Sequence, residues 1–185
     1  MDLVWPSKHY LPGYVDALTR GWSSDNTRGR DAADEQLAAI AHDADAFLAS
    51  IVDRDPKGTT ITLPDGSRVA RLPGYHRWMW DGEFCGSIGF RWQPGTTDLP
   101  PTCLGHIGYA VVPWKQGRGY ATLALKLLLP DARAMGMPFV ELTTDPWNVA
   151  SQRVIEGNGG VLYERFTKPA VFGGHEGLRY RIVLS

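Results

Sequence analysis

The chain has 185 residues, enough for one domain with a substantial core and marginal for two. Its residues are 43% hydrophobic and 21% charged, with a formal net charge of -1, which excludes bulk attraction to nucleic acid or to an anionic membrane. No run approaches the roughly 20 apolar residues of a membrane span, and MDLVWPSKHY lacks the basic start and apolar core of a signal peptide, so a cytoplasmic protein with reduced thiols is expected.

In chain order, Leu11 to Trp22 reads as a helix, and so does Asp34 to Val52, which aligns Leu37, Ile40, Ala41, Ala44, Phe47, Leu48 and Ile51 on one face. The polar, turn-rich SSDNTRGRD joins them. After Pro56 the rhythm becomes that of strands. TTITLPDGSRVA and YHRWMWDGEFCGSIGFRW each hold an Asp-Gly pair between β-rich arms, the strongest short-range hairpin signal. LGHIGYAVV follows as a strand, with Gly105 and Gly108 marking a bulge or a close backbone approach. A helix is expected from about Gly117 to Met135, kinked or broken after Leu129 by Pro130. PFVELTT is the next strand. A helix opened by Asn148 and closed by Asn158-Gly159-Gly160 precedes two last strands, VLYERF and LRYRIVL. This order predicts one mixed α+β domain over residues 1–185, without repeats.

The seven tryptophans suit either core packing or the walls of a cleft. Cys85 and Cys103 lie in apolar, strand-like stretches. With no CxxC pair and no Cys/His cluster at ligand spacing, no metal site is expected.

Chemistry concentrates at Gln116-Gly117-Arg118-Gly119-Tyr120-Ala121, where a strand ends and a helix begins. Backbone N–H groups at a helix start have no intrahelical partner, and the helix dipole adds positive potential, so the turn suits a phosphate or pyrophosphate. Gly117 and Gly119 let the chain turn and a ligand approach, and Arg118 can add a charged contact. A glycine turn that merely starts a helix is the plain alternative. The nucleoside triphosphate signature GxxxxGK[ST] is absent. A dinucleotide GxGxxG fails at Thr122, and that fold needs repeated βαβ units.

The hexapeptide matches Q/R-x-x-G-x-G/A, and in this it resembles the acyl-CoA pyrophosphate loop of the GNAT N-acetyltransferases. HIGYAVVP before it is similar to that family's central strand, and the leucine-rich helix after it to the coenzyme-binding helix. Asn148-Val149-Ala150-Ser151 and Asn158-Gly159-Gly160 resemble the family's second segment, an NxxA/S helix ending in a glycine turn. The resemblance is specific from about Leu104 to Leu162. It implies a mostly antiparallel twisted sheet with helices on both faces and splayed central strands. It implies acetyl-CoA as cosubstrate, its pyrophosphate on the amides of Gly117 to Ala121 and its pantetheine arm along Val111 and Val112, with Asn148 and Ser151 as further contacts. Helices within residues 11–52 would then shape the acceptor site.

The reaction so implied is direct acetyl transfer to a primary amine of a small molecule or peptide, which needs a base for the ammonium proton and a donor for the oxyanion. His106 on the central strand is the first candidate base, with Glu141 and Glu83 behind it; each also has a structural reading. Asp145 could bind a cationic amine, or be a turn residue before Pro146. Asn148 also has a plain role as a helix cap. Where many members carry a tyrosine as general acid, this chain has Ile155, which leaves Tyr109, Tyr120, a water or an unassisted thiolate. A non-catalytic acyl-CoA sensor and, more remotely, a dinucleotide-dependent oxidoreductase are the competing functions, and a homodimer stays open.

Overall fold

The computed structural model describes residues 1–184. Its elements in order are β1 (Asp2–Val4), α1 (Leu11–Thr19), α2 (Arg30–His42), α3 (Ala44–Ser50), β2 (Thr60–Thr62), β3 (Arg68–Ala70), β4 (Gly74–Trp80), β5 (Phe84–Arg91), β6 (Ile107–Val111), α4 (Tyr120–Ala134), β7 (Phe139–Thr144), α5 (Val149–Glu156), β8 (Val161–Thr167) and β9 (Glu176–Val183). Two antiparallel sheets carry the fold, ordered β1-β4-β5-β6 and β7-β9-β8, with β2 and β3 as a separate small hairpin.

The sheets are stitched at one place. The His106 N–H donates to the Glu141 carbonyl at 2.8 Å, and the Glu141 N–H donates to His106 Nδ1 at 3.0 Å. Gly105 makes this possible, because a Cβ there would lie 3.1 Å from the Glu141 carbonyl oxygen and 3.3 Å from Leu142 Cα. Beyond the seam, residues 107–111 of β6 and 142–144 of β7 line one cleft. The central strands are therefore splayed, as expected. The bulge expected in β6 is absent: its register with β5 runs evenly from Phe90↔Ile107 to Gly86↔Val111. Gly105 and Gly108 serve close approach instead.

Alternation along the strands sends side chains to two cores. Tyr75, Met79, Ile88, Phe90 and Ile107 pack against Ala124, Leu125, Leu128 and Ala132, the buried stripe of α4. Trp78 and Phe84 pack on the other face against Leu11, Tyr14 and Leu18 of α1 and Phe47 of α3, with Tyr14 stacked on Trp78 at 4.6 Å. Helices thus cover both faces.

The segmentation differs from expectation in four places. The helix expected over 34–52 begins earlier and is split, because Asp43 adopts an extended conformation and its carboxylate accepts the Ala46 N–H as the cap of α3. The helix expected at 11–22 stops at Thr19. α4 starts at Tyr120, after Gly119 in the left-handed region, and runs through Pro130 to Ala134 without a break. Pro130 removes the bond to the Lys126 carbonyl, but both residues are on the exposed side of the helix, where solvent is free to satisfy that carbonyl. β1, three residues paired to Trp78–Trp80, is too short to leave an alternation signal. Cys103 lies in the loop before the seam rather than in a strand, whereas Cys85 is buried in β5.

Candidate active site

One cleft of about 1510 Å³ runs between the splayed strands, from the turn at Gly117–Ala121 to the loop between α1 and α2. At the turn, Gly117 and Gly119 both have φ of +75°, and a Cβ on either would meet nothing within 4 Å. The space above the turn is open. Among the described residues, none of the N–H groups from Gly117 to Thr122 donates to a protein acceptor, and the first such bond in α4 is Leu123 N–H to Gly119 O at 3.0 Å. Six aligned donors at a helix start form a cradle for an anionic group. Arg118 and Arg153 stand exposed along the same part of the cleft without a carboxylate partner among the described residues.

Gln116 turns back to donate from Nε2 to the Val111 carbonyl at 3.3 Å. Tyr120 lines the cleft but spends its hydroxyl elsewhere, donating to Asp81 at 2.6 Å. Lys115 binds the same carboxylate at 3.0 Å and Glu83 at 3.0 Å. Burial alone would raise the Asp81 pKa, but the hydrogen bonds from Tyr120 and Lys115 hold it well below the usual carboxylate range. This triad ties the first turn of α4 to the β4–β5 hairpin. It also places Glu83, a candidate base, on the hairpin's exposed tip outside the cleft.

Along β6 the backbone alternates. The Val112 N–H donates to Cys85 O at 2.9 Å and its carbonyl accepts from the Lys115 N–H at 3.0 Å, so Val112 has no free group for a ligand. The carbonyls of Tyr109 and Val111 point the other way and, among the described residues, accept only from the side chains of Asn26, at 3.5 Å, and Gln116. The strand edge open to the cleft is therefore Tyr109 and Val111, a correction of one residue that follows from the period of two. The Tyr109 hydroxyl meets Ser151 Oγ at 2.9 Å, joining β6 to α5 across the cleft. Burial pushes its phenol up to about 12, so it stays protonated at neutral pH. Asn148 caps α5 by accepting the Ser151 N–H at 3.0 Å, and its amide nitrogen makes no bond among the described residues. Ile155 is buried in the core.

Two other candidates are turned away from the cleft. His106 is 1% exposed and does not line it. Its Nδ1 accepts from Glu141, which puts the proton of the neutral ring on Nε2 and leaves no lone pair for a base. Burial lowers its pKa, so it is neutral at pH 7. The Glu141 carboxylate is held by Arg179 at 3.1 Å and Arg181 at 2.7 Å. Asp145 does line the cleft, but Lys168 and His175, the latter at 3.0 Å, engage it. Burial opposes ionisation there, and these partners more than offset it, keeping its pKa low.

The cleft also holds His76 and Arg91, which sequence reasoning did not single out. In β5 alternation sets Ser87 and Arg91 opposite Ile88 and Phe90, but in β4 His76 shares its face with Trp78 and Trp80, so periodicity gives no signal for it.

Residues 31–161 match the family model described as "Acetyltransferase (GNAT) domain". No curated protein matches the sequence. Among solved structures, the microcin C7 self-immunity acetyltransferase in complex with acetyl-CoA and AMP is 13% identical, with a TM-score of 0.62 over 98% of this chain and 91% of that one. A ribosomal L7/L12 alpha-N-protein acetyltransferase in complex with coenzyme A is 14% identical, with a TM-score of 0.64 over 98% and 93%. An acetyltransferase from Salmonella typhimurium that modifies the N-terminal serine of L7/L12 is also 14% identical, at 0.65 over 99% and 94%. At these identities the likeness is one of fold.

Proposed function

The chain belongs to the GNAT acetyltransferase family and is an acyltransferase, and from that premise we propose that it transfers the acetyl group of acetyl-CoA directly to a primary amine of a small molecule or peptide. The observation that carries this reading is the run of unpartnered amides from Gly117 to Thr122 beneath open space. Those donors suit a pyrophosphate, and Arg118 and Arg153 suit further phosphate charge. The acetyl-CoA and coenzyme A complexes of structural neighbours are in keeping with it.

Bound acetyl-CoA supplies a thioester carbonyl that an amine nitrogen can attack, forming a C–N bond as the C–S bond breaks. The chain's own part is to bind and to move protons. Tyr109 and Val111 offer an open strand edge to the pantetheine arm, and the free amide nitrogen of Asn148 offers a donor from the facing helix. The paired hydroxyls of Tyr109 and Ser151 hold a proton for the departing sulfur, taking the place that Ile155 cannot fill. The cleft's carboxylates are engaged: Asp25 by its own loop, Glu35 by Arg28 and Asp145 by Lys168 and His175. Water therefore carries off the amine's proton. His106 acts as the stitch that holds the strands at the seam. The α1–α2 loop and the β2–β3 hairpin, which line the far part of the cleft, receive the acceptor.

The test is thiol release from acetyl-CoA with a panel of amino acids, polyamines, aminoglycosides and peptides, with one acetyl group gained by the amine. Tight acetyl-CoA binding without thiol release across that panel would favour a sensor. A dinucleotide enzyme is disfavoured by topology, since every neighbouring pair in the two sheets is antiparallel, where that fold needs a parallel sheet of repeated βαβ units.

A further inference from the structure

On the face of the first sheet that looks toward α1 to α3, one row crosses three strands. His76 of β4 is in register with Gly89 of β5, and Gly89 with Gly108 of β6. A Cβ on Gly89 would lie 2.8 Å from His76 Cε1, and one on Gly108 would lie 2.8 Å from Arg91 Nη2. A side chain on either glycine would displace one of these two groups. The imidazole thus lies over one bare backbone position and the guanidinium over the next. Ser87, itself buried, fixes the ring by pairing with Nδ1 at 3.2 Å, and Nε2 has no partner among the described residues. Both His76 and Arg91 line the cleft.

The guanidiniums of Arg91 and Arg71 carry positive charge beside this row, with Asp53 near Arg71 but not paired to it. Arg91 makes no ion pair among the described residues. Neither does Arg71, which follows β3, is half-buried and is close enough to act on the same imidazole. The three carboxylates of the cleft are already engaged by other donors. Arg91 is exposed to the cleft and Arg71 is half-buried, and neither guanidinium has an acceptor among the described residues, so an anion over the row would meet two uncommitted cations. Gly108 is three residues from Val111, about 10 Å along the strand whose edge is open to the coenzyme arm. The row therefore sits at the level where an acceptor would meet the thioester, on the side that the α1–α2 loop walls.

We propose that Arg91, with His76 beside it and Arg71 behind it, forms an anion subsite that takes a carboxylate or phosphate group carried by the acceptor amine. The substrate class becomes anionic amines: amino acids, acidic peptides or phosphorylated amines, rather than polyamines or aminoglycosides. This rests on the acetyltransferase reading above. His76 provides an independent reporter. Burial first, then the charges of Arg91 and Arg71, lower its pKa to about 4. An anion bound among the three would offset the two arginines and raise it.

The experiment has two arms. Thiol release is measured for amine pairs that differ only in the anion, glycine against glycinamide and phosphoethanolamine against ethanolamine, in the wild type and in Arg91→Gln. The anionic member of at least one pair should be favoured about tenfold or more in kcat/KM, and Arg91→Gln should erase most of that ratio. The pair that shows the preference identifies carboxylate or phosphate. Neutral amines used as well as anionic ones, or equal losses for both members in Arg91→Gln, would overturn the subsite. The second arm needs no turnover. The His76 ring signals are followed by NMR over pH in coenzyme A-saturated protein with N-acetylglycine or inorganic phosphate. The apparent pKa should rise by about one pH unit with millimolar anion and should not do so in Arg91→Gln. No response to either anion would overturn the subsite even if the protein proves an active acetyltransferase, whereas a response without thiol release would keep the subsite and sink the transfer reading.

Discussion

The two ends of the cleft use the polypeptide in opposite ways. At the end proposed for the coenzyme the cleft-facing donors are backbone amides of consecutive residues, Gly117 to Thr122, held by two glycines at φ of +75° and by the start of α4. At the end proposed for the acceptor they are side chains from separate elements, His76 of β4 and Arg91 of β5, resting on glycines of neighbouring strands. A backbone cradle tolerates changes of side chain but not of conformation, because its donors belong to every residue. A side-chain site tolerates little change of identity, and its parts have no fixed spacing in the chain.

The sharpest way to break this contrast is at Gly119. In Gly119→Glu a carboxylate enters the anion cradle, and a non-glycine residue must adopt a positive φ, a strain of about 1–3 kcal/mol. Like-charge juxtaposition adds several kcal/mol, so acetyl-CoA affinity should fall by about a hundredfold or more. Calorimetry on the folded variant measures it. Gly119→Ala carries the strain without the charge and should lose much less; equal losses would mean that shape rather than donated amides makes the cradle.

Acid sharpens the other end. His76 is neutral when folded, with a pKa lowered from 6.5 to about 4, so the unfolded chain takes up a proton that the folded chain refuses. Stability from this residue is complete above about pH 6.5 and is lost as pH falls toward 4, by a total of about 3 kcal/mol. Urea midpoints from pH 7 to 4 should fall less steeply in His76→Gln than in the wild type. Parallel slopes would remove His76 from the acid response.

His106→Ala separates the seam from the chemistry. It leaves the buried Glu141 N–H without its acceptor, which should cost about 1–3 kcal/mol in denaturant unfolding. Under conditions where the variant is folded, the pH limb of turnover should persist. Its disappearance would return His106 to the mechanism as a base.

Asn148→Ala is the mildest. Loss of the cap on α5 should lower stability by about 0.5–2 kcal/mol. Acetyl-CoA affinity should fall as well, because the free amide nitrogen goes with it; unchanged affinity would leave Asn148 a cap only.

Legibility in the sequence follows the same divide. The β4–β5 and β2–β3 hairpins, the glycine turn before α4 and the Asn148 cap were readable because each is decided by neighbours within a few residues. The break at Asp43 was hidden by a continuous apolar face, since periodicity does not register a carboxylate that prefers to cap. His106 looked catalytic for its place on a central strand, but the direction of its ring depends on Glu141, 35 positions away. Tyr120 looked like a loop contact, yet its hydroxyl belongs to Asp81, 39 positions back.

By itself, then, the sequence determined the alternation of strands and helices, the strand–turn–helix start of α4 and a turn able to hold pyrophosphate, because hydrogen-bonding and dihedral preferences act locally. Only the tertiary structure decided which face of each strand meets the cleft, which carboxylates are already paired, and that His76, Gly89 and Gly108 form one row beneath Arg91. Strand register and the closing of long loops set those relations, and they depend on how the whole chain packs rather than on any one stretch of it.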